Sequence, residues 1–323
     1  MSSNRPWIIA EIGFNHEGDP DLGARMIEAA AKAGADAVKF QTFRASDIVL
    51  PTSPHYQAVQ AGEMDLEKHL FLARAAAGHG VEFLSTPFSR WAVDLLEEVG
   101  VKRYKIASMD LTNFDLLDYV GRKGKPLLVS TGMATLAEIA ASVEFLTARG
   151  VADLTLLHCV SHYPCRAEDL NLEVMPFLRK VFGLRVGYSD HFPGVKACLM
   201  AALMGAEVIE THFTLDTSRP GGDHAHSADP ETLEQLVADI DLLALMRGQV
   251  DTLKNRADRP EAGLYRRGIH AARELEAGEA LERDGLLLSR PAADFGPADL
   301  SRLLGRKLKR TVSQFSALTW EDV

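Results

Sequence analysis

The sequence predicts an α/β protein: a (β/α)₈ TIM barrel over residues 1–248, a linker at 249–267 and a small β-rich domain at 268–323. Eight short apolar runs begin between residues 7 and 208, about 29 residues apart, which is the length of one strand and its crossover helix. The segments between them carry helix start and stop signals. After residue 248 this rhythm stops, giving way to a polar stretch and then to short runs separated by turns.

In chain order the runs are Trp7–Gly13, Ala37–Thr42, Glu82–Thr86, Tyr104–Ser108, Pro126–Thr131, Leu154–Cys159, Val186–Asp190 and Val208–Thr214. Asp19 and Pro20 open the helix after the first run as N-cap and first-turn proline, and Gly34 closes it. Thr135 and Glu138 form a capping box, with Gly150 past the end of that helix. Asp229-Pro230 repeats the first pattern after the eighth run, with Gly248 as its stop. An open doubly wound sheet competes with the barrel, but no glycine-rich dinucleotide or P-loop signature follows any run. In the last segment, Gly285–Ser289 and Arg306–Val312 read as strands beside turns at Gly278 and Gly305. A unit of that size is marginal alone and needs a surface to dock on.

Composition narrows the function. Lys plus Arg number 35 against 45 for Asp plus Glu, a net charge of −10, opposite in sign to a global nucleic-acid binder. No apolar stretch reaches spanning length, and the opening MSSNRPWIIAEIG is too short in its apolar part for a signal peptide. The three cysteines, Cys159, Cys165 and Cys198, are odd in number and lack metal-site spacing, which suits a reducing cytoplasm. Neither nucleic acid nor membrane is expected as a partner.

Barrel enzymes hold their chemistry at the C-terminal strand ends. Here all eight ends are polar: Glu11 with Asn15-His16, Lys39 with Gln41, Thr86, Lys105 with Ser108 and Asp110, Ser130-Thr131, His158 with Ser161, Ser189-Asp190-His191, and Glu210 with His212. Lys39 and Lys105 lie inside apolar strands (VKFQT, YKIAS), where an ammonium needs an anion beside it. With Thr86, Ser108, Ser130 and Ser189 they form a candidate cradle for phosphate or carboxylate; structural ion pairs are the alternative. His191 and His212, ending adjacent strands, suit a borderline divalent metal. His158 reads equally as ligand or core residue; His224 and His226 could bind metal, but their place on an exposed glycine-rich loop reads first as substrate contact. Cys159 and Met109 read as packing, and no hydrolase triad is present.

The strings IIAEIGFNHEGD, VKFQT, STPFS, YKIAS, STGM, LHCVSHYP, GYSDH, ETHFT and RPGGDHAHSADP, in this order, resemble the N-acetylneuraminate (sialic acid) synthase family. The tail, with IHAARELEAGEAL, LSRP and LGRKLKR, resembles that family's SAF (antifreeze-like, β-clip) domain. The resemblance implies a transferase that condenses phosphoenolpyruvate with an N-acylated amino-sugar aldehyde, yielding a nonulosonic acid and phosphate. It implies Mn²⁺ or Mg²⁺ held by His191 and His212, and phosphoenolpyruvate held by Lys39, Thr86, Lys105, Ser108, Ser130, Ser161 and Ser189. Gln41, Tyr163 and Asp223 would contact the acceptor, with Arg290 supplied by the other subunit of a domain-swapped homodimer. Glu11 and Asp110 would form the acid/base pair.

Asp110 stands where the family usually has Glu, the loop from Arg44 to His69 is short, and SRPAADFG replaces a glycine-rich motif. These departures point to an intact phosphoenolpyruvate half with a diverged acceptor. Alternatives are another phosphoenolpyruvate–aldose condensing synthase, a Schiff-base aldolase, and an inactive phosphoenolpyruvate-binding protein.

Overall fold

The computed structural model describes residues 5–248 and 250–323, and the chain divides into two compact units, one up to Met246 and one from Arg247 to Val323. The first unit holds eight strands: β1 (Trp7–Glu11), β2 (Ala37–Thr42), β3 (Glu82–Pro87), β4 (Tyr104–Ile106), β5 (Leu127–Ser130), β6 (Leu154–His158), β7 (Arg185–Asp190) and β8 (Val208–His212). All their ladders are parallel, in the order β3-β2-β1-β8-β7-β6-β5-β4. β3 and β4, the two ends of that order, lie side by side and bring the sheet round into a barrel.

The helix signals act as expected. Asp19 caps the helix Pro20–Lys32 through its carboxylate, which accepts from the Asp21 amide at 2.9 Å. Thr135 and Glu138 close a capping box on Leu136–Ala148. Leu22, Met26, Ile27 and Ala30 fall on one face of the first helix and pack against the sheet's outer surface, which carries most of the core.

Inside the barrel the strand period of two separates side chains into levels. Ile9, Ala37, Leu84, Leu128, Leu157 and Val208 form an apolar plug of their own. Gly187 on β7 makes this possible, because a Cβ there would stand 2.6 Å from Leu157 and 2.5 Å from the Val208 carbonyl oxygen. Two residues further along their strands come Glu11, Lys39, Thr86, Ser130 and Glu210, all buried.

The second unit contains a 3₁₀ stretch (Val250–Asp258), a short helix (Pro260–Tyr265), and an antiparallel pair, β9 (Gly268–Ala271) with β10 (Leu286–Ser289). The polar stretch expected to be a plain linker is thus helical over most of its length, with Pro260 in the opening turn of its helix. Arg306–Val312, expected as a strand, makes only single bridges, Lys307 to Ala280 and Val312 to Leu275. This unit has its own core, including Ile269, Leu275, Phe295 and Leu318. Among the described residues no helix is long and apolar enough to cross a membrane.

Candidate active site

Above the plug the strand ends open on a cavity of about 410 Å³. At its base are two ammoniums and two carboxylates. Lys39 Nζ lies 2.8 Å from Glu11 Oε2, 3.7 Å from Glu210 Oε1 and 3.2 Å from the Thr86 hydroxyl. Lys105 Nζ donates to Ser130 Oγ at 2.6 Å and lies 3.8 Å from the same Glu210 oxygen, which also accepts from Ser189 Oγ at 2.9 Å. Glu210 therefore ties β2, β4, β7 and β8 together.

Electrostatics separate the two acids. Burial alone would raise Glu210, but Lys105 and Lys39 together hold it down at about 2. Burial raises Glu11 to about 7, with Glu210 adding repulsion and Lys39 only partly offsetting it. Burial lowers Lys105, whereas for Lys39 burial is outweighed by Glu11 and Glu210, so its value is raised. Of the four groups, Glu11 is the one placed to exchange a proton near neutrality.

Next to the ammoniums, Gly132 offers a backbone amide beside three small polar groups. A Cβ at Gly132 would approach Ser161 Oγ, Cys159 Sγ and Ser108 Oγ to within 3.0 Å or less. The Gly132 amide donates to Ser108 Oγ at 3.0 Å, and Cys159 Sγ is 3.1 Å from that hydroxyl. Cys159 lines the cavity, so it is more than the packing residue its apolar run implied.

The imidazoles gather across the mouth. His191 and His212 have ring centroids 5.4 Å apart, and the Tyr163 ring packs on His191 at 4.0 Å, tilted by 43°. The tighter group is His212, Asp223 and His226, whose ligand atoms all lie within 4.8 Å of one another. Asp223 presents one oxygen 3.4 Å from His212 Nδ1 and the other 3.7 Å from His226 Nε2. Both of those nitrogens are buried without a hydrogen-bond partner. His191 Nδ1 is fixed by the Val160 carbonyl at 2.7 Å, leaving Nε2 to the cavity side. Burial holds His191 and His212 neutral, each with a value of about 3. Neutral, unpartnered nitrogens beside a carboxylate fit a divalent cation of the Mn²⁺ type.

Asn15 steers the loop that brings Asp223 in. Its amide donates to the Phe213 carbonyl and to Ser227 Oγ, each at 3.0 Å, and its carbonyl accepts from the Asp223 amide at 2.8 Å. Gly222 has φ +54°, and a Cβ there would strike Asn15 Oδ1 at 2.9 Å, so this turn requires glycine.

The cavity thus brings together Glu11, Lys39, Gln41, Thr86, Lys105, Ser108, Ser130, Ser161, Tyr163, Ser189, His191, His212 and Asp223. Two expected site residues are not among its lining. Asp110 ends the 3₁₀ turn Ser108–Asp110, in which each residue is rotated about 120° from the last, and it is buried beneath the turn, bonded to Asn113 Nδ2 at 2.9 Å. Arg290 belongs to the second unit, its guanidinium 5.3 Å over the Tyr265 ring. His158 is a core residue, its Nε2 on the Leu170 carbonyl at 2.8 Å. His224 is buried and paired with Thr214 at 2.7 Å, so it is not on an exposed surface. Glu210 was visible only as one more polar strand-end residue. The sign that it belongs inside is its spacing, two before His212 on an alternating strand.

The NeuB family model matches residues 26–252, and the SAF domain model matches 266–323. The chain belongs to the NeuB family. The N,N'-diacetyllegionaminic acid synthase of Legionella pneumophila is 38% identical to this NeuB chain, over all of it and 96% of that relative. The human N-acetylneuraminate-9-phosphate synthase is 30% identical over 98% of the chain and 92% of its own length. Among solved structures, the N-acetylneuraminic acid synthetase of Leptospira borgpetersenii superposes with a TM-score of 0.75 at 32% identity, covering 80% of this chain and 93% of that one. The chain is thus an enzyme of a family whose curated relatives are named as synthases of legionaminic, pseudaminic and N-acetylneuraminic acids or their phosphates.

Proposed function

We propose that this chain carries out the metal-dependent condensation of phosphoenolpyruvate with an N-acylated amino-sugar aldehyde, releasing a nonulosonic acid and phosphate. One observation carries the reading. Two buried ammoniums with their hydroxyl partners share a cavity with an acid of pKa about 7 and neutral, unpartnered imidazoles.

Lys39 and Lys105, with Thr86, Ser130 and Ser189, would hold the phosphate and carboxylate of phosphoenolpyruvate, and Ser108, Ser161 and the Gly132 amide would complete the cradle. His191 and His212, with Asp223 and His226 beside them, would hold Mn²⁺ or Mg²⁺, which when bound supplies Lewis-acid polarisation of the acceptor carbonyl. Gln41 and Tyr163 would orient the sugar. C3 of the enol ester then attacks the carbonyl carbon, forming the new bond and leaving cationic character at C2. Glu11 takes a proton from the water that adds at C2, and the former carbonyl oxygen of the acceptor takes one up to become the new hydroxyl. The C2–O bond to phosphate breaks as the C2 hydroxyl passes its proton to the leaving phosphate and becomes the ketone, and the two ammoniums stabilise the departing charge.

In this reading the chain works as a domain-swapped homodimer, with Arg290 delivered by the second copy. It works in the cytoplasm, consistent with three free, buried cysteines. The test is phosphate release from phosphoenolpyruvate with amino-sugar aldehydes, before and after chelation and re-addition of Mn²⁺. Release that needs both aldehyde and metal, and that His212→Ala abolishes, is the expected result. Phosphoenolpyruvate binding without release under every combination would make the chain a binding protein instead.

A further inference from the structure

His191 needs exact placement yet stands just past the end of its strand. β7 closes at Asp190, and its ladder to β8 pairs Ser189 with Glu210 and Asp190 with Thr211 but goes no further. Alternation along β7 sends Gly187, Ser189 and His191 to the inside of the barrel, so Tyr188 and Asp190 face outward, toward the helix Lys196–Leu203. Ser189 is therefore held by the sheet itself, whereas His191 depends on other supports. The loop after β6 supplies part of them: the Cys165 amide donates to the His191 carbonyl at 2.8 Å, and the Val160 carbonyl lies 2.7 Å from Nδ1.

Asp190 supplies the rest. Its side chain is buried and stands outside the cavity's lining. Oδ1 accepts from the Phe192 amide at 2.9 Å, an Asx turn that spans His191, and from the Tyr188 hydroxyl at 2.8 Å. Oδ2 accepts from the Cys198 thiol at 3.1 Å, which ties the turn to the helix Lys196–Leu203. The backbone is thus pinned on both sides of His191. None of the three donors carries a charge. Burying a carboxylate on neutral donors costs desolvation that an apolar side chain of similar volume would not, so packing alone does not account for an acid here.

We infer that Asp190 is a positioning residue, which through the turn it closes aims the His191 imidazole at the cation. It serves metal binding rather than the phosphoenolpyruvate cradle, because the sheet already fixes its other neighbour, Ser189. The inference rests on the metal site proposed above for His191 and His212.

The experiment follows Mn²⁺ binding to the full chain by calorimetry and, separately, phosphoenolpyruvate binding without metal. Asp190→Ala should weaken Mn²⁺ by about 10–100-fold, the usual effect of losing a group that orients a metal-bound imidazole, and change phosphoenolpyruvate affinity by less than about threefold. Asp190→Asn keeps an acceptor for the Phe192 amide and the Tyr188 hydroxyl, and should restore most of the Mn²⁺ affinity. Unchanged Mn²⁺ affinity in Asp190→Ala, or an equal loss of both ligands, overturns the inference and leaves the metal site standing. If Asp190→Ala does not fold, Tyr188→Phe, which removes one donor only, decides in the same way: weaker Mn²⁺ with phosphoenolpyruvate kept supports the inference, and no change overturns it. An unaltered chain that binds no Mn²⁺ overturns the metal site and the inference together.

Discussion

The barrel interior has two levels built on the same strands, and they do opposite things. On β1, β2, β3, β5 and β8 the lower level is Ile9, Ala37, Leu84, Leu128 and Val208, and the upper is Glu11, Lys39, Thr86, Ser130 and Glu210. The separation is two residues, about 7 Å of strand. Burying the lower level stabilises the fold directly. Burying the upper one costs desolvation of its three charged groups, Glu11, Lys39 and Glu210, which their pairing with one another and with Lys105 only partly offsets. In this chain, then, stability and chemistry are divided by height along the strand rather than by element.

The division breaks most visibly at Lys105. In the proposed condensation Lys105→Ala removes a positive charge that would stabilise the departing phosphate, and kcat/KM should fall by about 10³-fold while the melting temperature holds. A collapse of the melting temperature would mean that the upper level also carries the fold. One level down, Leu157→Ala should destabilise by about 2–5 kcal/mol in urea titration with kcat/KM retained, because it opens a cavity in the plug.

A pH series sharpens the comparison further. If Glu11 must be ionised to act, kcat/KM rises about tenfold per pH unit and levels off near its value of about 7; Glu11→Gln removes the rise. Over the same range the folded state holds a Glu11 proton that the unfolded chain has lost, so this group's contribution to stability falls as pH climbs from about 4.5 to about 7.

The smallest effect belongs to His16, buried outside the cavity, its Nδ1 accepting from the Gly18 amide at 3.0 Å. Burial, with repulsion from His69 and Lys68, lowers it to about 4. The unfolded chain takes up a proton below about 6.5 that the folded one refuses until about 4, so stability from this site is lost as pH drops from about 6.5 to about 4. His16→Asn keeps an acceptor for Gly18 and should flatten the acid side of the melting-temperature profile.

The sequence made the strands and caps legible because each rests on local physics. Asp19-Pro20, Thr135 with Glu138, and the apolar runs state their own conformation. The two lysines were legible for a similar reason, since an ammonium within an apolar strand demands an anion. What stayed hidden depends on rotation and on depth. Asp110 and Met109 are adjacent, and only the turn's geometry decides that the thioether, not the carboxylate, reaches the cavity. Nothing in the order of residues 219–226 tells which of two histidines is buried against Thr214 and which stands beside Asp223.

The first strand is hydrogen-bonded to the last, Glu11 opposite His212. On a ribosome, a growing chain that has emerged as far as Ser189 already owns both ammoniums, yet lacks the carboxylate of Glu210 that balances them and the imidazole of His212. No shortened version ending before β8 can therefore act as a weaker form of the whole. Assembly of the reactive centre waits for the polypeptide's two distant ends of the barrel to meet.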